Sequence, residues 1–319
     1  MRIFFTGKNA TQGLKRVDPT SIVSVAKNLG FLVSDNLTSQ DDLLVCVDFD
    51  IASMRLVRGA RRLGVPTCLV VNEPAVVIPQ HAQSRVLRKF DFTIYVGREG
   101  TEPQLKWPQT WRPLLRRGSR INRAVVVNAD KWSFIRGQNY WLRAAISSHD
   151  SRVDVYGPGW SRSVFERSLH RSFDFVRAVF SITMPSLKGL RYALSTPRNY
   201  VGIVEDKVEI MSRYKVAIVI ENSSELMTEK LFDAWFAGCV PVYVGPLVGQ
   251  FGIPDDIVVQ SEPNAKSLQA AIHVALNTEI SEFQDKVEKF LVSKEALAWR
   301  AELALEKILA AATRANSAN

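Results

Sequence analysis

The chain has little cysteine: three residues in 319, Cys46, Cys68 and Cys239, each inside an apolar run. An odd, widely spaced set argues against a disulfide framework and for reduced thiols in the core of a cytoplasmic protein. Long apolar runs are missing too. Nowhere do about eighteen apolar residues follow one another, the length a spanning helix needs. The first residues carry one arginine and the short patch Ile3-Phe4-Phe5 before Gly7, which fits neither a signal peptide nor an anchor. The expectation is a soluble chain. The histidines, His81, His149, His170 and His273, are scattered without metal-ligand spacing. No P-loop, dinucleotide fingerprint or nucleophilic triad pattern is present.

What is present is positive charge and an alternating pattern. The net charge is +9. Nucleic acid is a poor partner for it, because the aromatics are not interleaved with basic residues in any recognition module. An anionic acceptor or an anionic membrane surface fits better. Phe165, Leu169, Phe173, Val176 and Phe180 recur at helical spacing with Arg167, Arg171 and Arg177 between them. Two readings are open: an interfacial amphipathic helix, or a helix packed on its own domain with a solvated basic face.

With 46% hydrophobic residues the chain can fill sizeable cores, and its length predicts two domains. Strands and helices alternate, the pattern of doubly wound sheets. In the first half, strands are expected at Arg2–Thr6, Asp42–Val47, Pro66–Val71 and Phe92–Val96, and helices at Ser21–Leu29 and Ile51–Leu63. The stretch Arg98–Asn122, with Pro103, Pro108 and Pro113, reads as a linker. Beyond it come strands at Ala124–Val127 and Val153–Tyr156, with a helix at Phe134–Ser147 between them. A strand at Ile257–Val259 and helices at Ala265–Leu276, Ile280–Leu291 and Lys294–Thr313 close the chain. The domains expected are 1–120 and 121–319.

The most informative segment runs from Tyr214 to Pro246. The apolar run Val216–Ile220 stops on Glu221-Asn222-Ser223, a polar turn leads to Thr228-Glu229-Lys230, and a helical stretch follows. The apolar run Cys239–Val244 then ends on Gly245-Pro246. This is a crossover unit of a parallel sheet, and ligands of such sheets bind at the carboxyl ends of the strands. Thr228 is a candidate N-cap, its helix a candidate anion site, and Lys230 a point charge suited to a pyrophosphate.

Tyr214-Lys215, Glu221-Asn222-Ser223, Thr228-Glu229-Lys230, Val240-Pro241-Val242-Tyr243 and Gly245-Pro246 together resemble the donor-binding signature of the α-1,3/4-fucosyltransferases, glycosyltransferase family 10. Weaker likeness extends over Ile3–Asn9, Asn72-Glu73-Pro74, Phe90–Thr93, Val127-Asn128-Ala129 and Gly202–Lys207. The chain departs from the family in three places. Lys8 stands where bacterial members carry an acid. The turn between Asn222 and Thr228 is short and carries Leu226-Met227. About forty residues, 159–198, have no counterpart in the compact bacterial enzymes.

The resemblance implies a GT-B fold, two Rossmann-like domains facing across a cleft, with acceptor held by the first, donor by the second, and the last helices packing back across the first domain. It implies an inverting, metal-independent transfer of L-fucose from GDP-fucose to a hydroxyl of an oligosaccharide or lipid-linked glycan. The product would carry an α-1,3 linkage in a bacterial surface polysaccharide or lipopolysaccharide. No cofactor is expected. Without a membrane anchor, the bacterial type is the expectation, placed in the cytoplasm or at the inner face of its membrane. Glu73, after a buried strand and before Pro74, is the expected general base. Lys230 and Arg136 are the expected phosphate clamp, with Arg143, Arg198 and Arg213 as competitors. Glu229 is assigned to fucose or ribose hydroxyls, and Asn222 and Glu221 to the donor. Tyr214 and Lys215 are expected to order the strand.

Asp48-Phe49-Asp50 is the one metal-like motif, since Asp-x-Asp after a strand can hold a divalent ion on a diphosphate. Asp50 also stands where it would cap the helix that follows. Rival functions are a transferase for another GDP-sugar, such as GDP-mannose, and a non-catalytic nucleotide-sugar or glycan binder.

Overall fold

A computed structural model describes residues 1–7, 22–98, 105–180 and 185–317. Lys8-Asn9, Ser21 and Pro103 lie outside the described residues. The chain divides into two compact units, Met1–Trp111 with Ala298–Asn319, and Arg112–Leu297.

The first unit is built on a parallel five-stranded sheet. Its strands are β1 (Arg2–Thr6), β2 (Leu32–Ser34), β3 (Leu43–Val47), β4 (Thr67–Val71) and β5 (Phe92–Tyr95), in the order β2-β1-β3-β4-β5. β3 and β4 are buried at every residue, as continuous apolar runs in a sheet covered on both faces should be. Val23 and Ala26 of helix Ile22–Asn28 and Leu305, Ile308 and Leu309 of helix Ala301–Ser317 pack on Ile3, Phe5, Val45 and Val70. Val57 and Ala60 of helix Ser53–Arg62 pack with Leu44, Cys46, Leu69 and Val71 in the second core. All three cysteines are free and buried. Burial pushes the Cys46 and Cys239 thiols up to about 12, so they stay protonated core residues.

The second unit carries six parallel strands: β6 (Ile121–Val127), β7 (Val153–Tyr156), β8 (Tyr200–Gly202), β9 (Tyr214–Ile220), β10 (Val240–Val244) and β11 (Val259–Gln260). Their order is β11-β10-β9-β6-β7-β8. From β6 the chain winds outward through β7 to β8, then returns to β9 and winds the other way. The winding reverses between β6 and β9, and in open parallel sheets the carboxyl edge at that point is where ligands sit.

Several sequence expectations are corrected. The domain change falls between Trp111 and Arg112, not after residue 120, because residues 112–122 are tied into the second unit. Leu115 N donates to Phe236 O at 2.7 Å. Arg120 donates to Leu115 O, Tyr214 O and Ala237 O at 2.7–3.0 Å. The helix expected over Lys294–Thr313 is two, Lys294–Leu297 and Ala301–Ser317. Gln109 divides them: its N–H donates to Trp299 O at 2.7 Å and its carbonyl accepts from Ala301 N at 2.9 Å, so the last helix belongs to the first unit. Ile257–Val259 is a 3₁₀ turn, Asp255–Ile257, running into β11. The helix expected at Phe134–Ser147 spans Tyr140–His149, because Gln138 pairs with Ser223 and Asn139 N donates to Asn222 O at 3.1 Å, holding that stretch against the signature loop.

The helix at Val164–Phe180 forms where the spacing places it, but it is turned over. Arg167 and Arg171, 1% and 6% exposed, point inward, while Phe165 and Phe180 are 79% and 80% exposed. Both arginines pair with buried Asp130, Arg167 at 3.2 Å. Arg167 also donates to Trp160 O and Ser195 O, at 2.6 and 2.9 Å, and Arg171 to Ala193 O at 3.2 Å. The reading of a solvated basic face is therefore wrong for these two residues, because a buried carboxylate and carbonyls hold them inside.

Candidate functional site

The carboxyl ends of β6 and β7 open onto a cavity of about 380 Å³ in the second unit. Val127, Asn128 and Ala129 line it after β6, Gly157 and Pro158 after β7, with Arg112, residues 204–208 and Asp233 closing the sides. Gly157 is required there. Its φ is +131°, and a Cβ would lie 2.2 Å from Asn128 O, so any side chain would force the two loops apart.

Charges of both signs ring this cavity. Asp206 caps helix Lys207–Met211 by accepting from Val208 N and Glu209 N, at 2.9 and 3.2 Å, and also accepts from Arg112 Nη1 at 2.8 Å. Lys207 forms an ion pair with Asp233 and reaches Glu229 Oε1 at 3.4 Å. Burial works against the Lys207 ammonium, but the two carboxylates outweigh it and raise its pKa. Burial raises Asp233, which Lys207 only partly offsets.

Lys207 joins the cavity to the signature. Burial disfavours the Glu229 carboxylate, yet Lys230 and Lys207 overcome that and hold it down at about 2. Glu221 has a different role from the one expected. It is fully buried at the end of β9 and accepts three bonds of 2.8 Å, from Thr228 N, Thr228 Oγ1 and Lys230 Nζ. Lys230 also donates to Thr228 Oγ1 at 2.7 Å. Glu221 thus shapes the loop rather than facing a ligand. Thr228 is not the helix cap: its N–H and hydroxyl are spent on Glu221, and the helix, Lys230–Phe236, is only seven residues long. At that end of the helix the side chains of Lys230 and Lys207 stand paired with Glu221, Glu229 and Asp233.

Arg136 lies in an exposed turn ahead of helix Tyr140–His149. Arg143, named as its competitor, is buried and donates to Ile220 O and Asn222 Oδ1, both at 2.8 Å. Arg143 fixes the side chain of Asn222 and the end of β9 together. Tyr214 and Lys215 sit at the opposite end of β9. Tyr214 OH pairs with Tyr156 OH at 3.1 Å, and Lys215 donates to Leu276 O at 2.7 Å, consistent with their ordering role.

In the first unit, Glu73 follows β4 with its main chain held on both sides. Its N–H donates to Asp48 Oδ1 at 2.9 Å and its carbonyl accepts from His81 Nδ1 at 2.8 Å. His81 Nε2 in turn accepts from Phe49 N at 3.1 Å, which sets the neutral tautomer with the proton on Nδ1. Asp48 is fully buried, at φ +56°, and also accepts from Asn72 N at 2.8 Å. Asp50 Oδ1 accepts from Ser53 N at 2.7 Å, but it is not the cap expected: the helix begins at Ser53, and Ala52 holds its N-cap position. Both carboxylates of the Asp-x-Asp motif therefore serve backbone groups.

Sequence reasoning did not single out Arg112, Asp206, Lys207 and Asp233 for the site. Asp206 carried a signal, an acid just ahead of a helical run. Lys207 stood only at the end of the weakly family-like stretch Gly202–Lys207 and Arg112 carried no signal, because only the fold brings residues 112, 207 and 233 to one edge.

No protein-family model matches the chain. Over 51 residues, 15% of this chain, it is 51% identical to an Arabidopsis thaliana protein described as fucosyltransferase-like, and the match takes in 10% of that protein's length. Solved structures resemble it over nearly its whole length. An α1,3-fucosyltransferase superposes with a TM-score of 0.55 at 14% identity, covering 99% of this chain and 90% of that one. Anabaena HepE, solved with UDP and glucose, superposes with 0.58 at 12% identity, covering 98% and 100%. The chain has the GT-B fold. A UDP-forming α,α-trehalose-phosphate synthase of Burkholderia xenovorans shares it, with a TM-score of 0.52 at 13% identity, covering 96% and 79%. At such identities the likeness is one of GT-B architecture, two parallel α/β sheets in sequence, here β1 to β5 and β6 to β11.

Proposed function

We propose that this protein is a glycosyltransferase whose second unit binds a nucleoside-diphosphate sugar, GDP-fucose by the reading of its signature, and which transfers the sugar to a glycan hydroxyl. The observation that carries the proposal is the clustering of Lys207, Glu229, Asp233 and Lys230 beside a cavity at the carboxyl edge of β6 and β7. An ammonium has three donors. Lys230 uses two, on Glu221 and Thr228, and the third is available to a donor phosphate oxygen. Glu229, ionised at neutral pH, accepts from ribose or sugar hydroxyls.

In the proposed reaction Glu73 takes the proton of the acceptor hydroxyl. The acceptor oxygen then bonds to the anomeric carbon as the bond from that carbon to the diphosphate breaks, with inversion. Lys230 and Lys207 balance the charge that grows on the leaving nucleoside diphosphate. The α-1,3 linkage, independence from metal and a bacterial surface glycan as product belong to the same reading.

Calorimetric titration with GDP, GDP-fucose, GDP-mannose and UDP-glucose, each with and without EDTA, tests the donor assignment. Binding of GDP and GDP-fucose undisturbed by EDTA is expected. Binding of UDP-glucose alone, or only in the presence of a divalent ion, would replace the donor or the mechanism. Binding of GDP-fucose without transfer to any glycan acceptor would make the chain a nucleotide-sugar binder.

A further inference from the structure

Helix Val164–Phe180 presents its apolar side to solvent. Phe165, Leu169, Phe173, Val176 and Phe180 fall at intervals of four, four, three and four residues, and so on one face, with exposures of 79, 53, 66, 48 and 80%. An apolar face of this extent on a protein surface marks a contact site. The helix cannot roll over to hide it, because Arg167 and Arg171 on the opposite side are locked to Asp130. Burying the phenylalanines would expose that carboxylate and break both pairs.

The next described segment, held to the inward side of the helix, also exposes apolar side chains. Leu187, Leu190 and Leu194 are exposed, and the carbonyls of Ala193 and Ser195 are bound by the same two arginines, which brings this segment alongside the helix. Lys188 and Arg191, also exposed, stand among these leucines. Residues 159–198 hold seven arginines and lysines against two acids, in a chain of net charge +9.

We propose that this face is a membrane-docking surface, on which the helix lies in the headgroup region of an anionic bilayer. Its outward phenylalanines would enter the acyl boundary, and the neighbouring cations would meet acidic lipid. Charge selects this occupant over a second copy of the chain. Two bodies of charge +9 repel one another, whereas an acidic lipid surface attracts each of them. No described helix is long and apolar enough to cross a membrane, so the contact is peripheral. The inference does not depend on the donor or on catalysis.

The test is flotation of the purified full chain with vesicles of phosphatidylcholine alone and of phosphatidylcholine mixed with phosphatidylglycerol, with light scattering for oligomeric state. Wild type is expected to float with the anionic vesicles and to remain behind with the neutral ones. The triple variant F165S/F173S/F180S should lose at least about tenfold in partition, as removal of three exposed aromatic anchors implies. Phe180→Glu, a single change in the last turn, should weaken flotation in the same direction. Ile51→Ser, at an exposed position in the first unit, should change nothing. Four results would overturn the proposal: no flotation of wild type on anionic vesicles, equal flotation on neutral ones, undiminished flotation of the triple variant, or a solution dimer that the triple variant turns into a monomer. The last would assign the face to a second copy.

Discussion

Lys230 Nζ donates to Glu221 Oε2 at 2.8 Å, which ties the first residue of a helix to a buried carboxylate nine residues earlier at the end of β9. The same carboxylate accepts from the Thr228 N–H and hydroxyl. It neutralises an ammonium that is itself four-fifths covered. Glu221→Ala should therefore destabilise the protein by about 3–5 kcal/mol, the usual cost of stranding one member of a buried pair. Glu221→Gln, which keeps the shape and one oxygen, should cost less. Urea unfolding of the two variants checks the order.

Glu73→Gln should lower kcat by about 10²–10⁴-fold, the range for loss of a general base. GDP-fucose affinity should hold, since Glu73 belongs to the first unit and the proposed donor residues to the second. Single-turnover rates and calorimetry on the same preparation separate the two effects. A variant with wild-type turnover would remove Glu73 from the mechanism.

The Glu229 carboxyl titrates near 2 in the folded protein, against 4.5 for the unperturbed group. A folded-state pKa below the unfolded one contributes stability that is complete above about pH 4.5 and lost as the pH falls towards 2. Glu229→Gln should flatten the fall in stability across that window and lower stability above about pH 4.5 by the same amount, a modest one because the side chain is 39% exposed and its interactions with Lys207 and Lys230 are partly screened. Chemical denaturation at stepped pH from 5 to 2 measures this.

Asp130→Ala should cost about 3–5 kcal/mol, because Arg167 and Arg171 would be left buried without their counter-charge. Replacing all three charges with apolar residues of similar volume should cost less than the single change. Thermal unfolding of the single and triple variants tests the ordering.

Much of the fold was legible because strand burial is written locally. Continuous apolar runs such as Leu43–Val47 and Val240–Val244 can only be interior strands of a covered parallel sheet, and each formed where expected. β2 and β8, three residues each, were too short to show a pattern. Within the candidate site, Lys230 and Glu229 were legible as chemistry, and Glu221 was legible as important but not in its role. Whether a carboxylate at a strand end faces a ligand or the interior depends on the loop that folds over it.

By itself the sequence determined where apolar and polar residues alternate, and hence two parallel α/β sheets, a crossover unit ending in Glu221-Asn222-Ser223, and three cysteines destined for the core. Tertiary structure alone decided the remainder. Arg143 reaches the signature from a helix that starts only at Tyr140, after the Gln138–Ser223 pairing. The return of the last helix to the first unit was expected, but its attachment point, Gln109, was not. The helix at Val164–Phe180 turns its phenylalanines outward because Asp130, 41 residues before Arg171, draws the arginines in. Period along a chain states which residues share a face. Which way that face points is set by distant charges and carbonyls, and those meet only when the chain has folded.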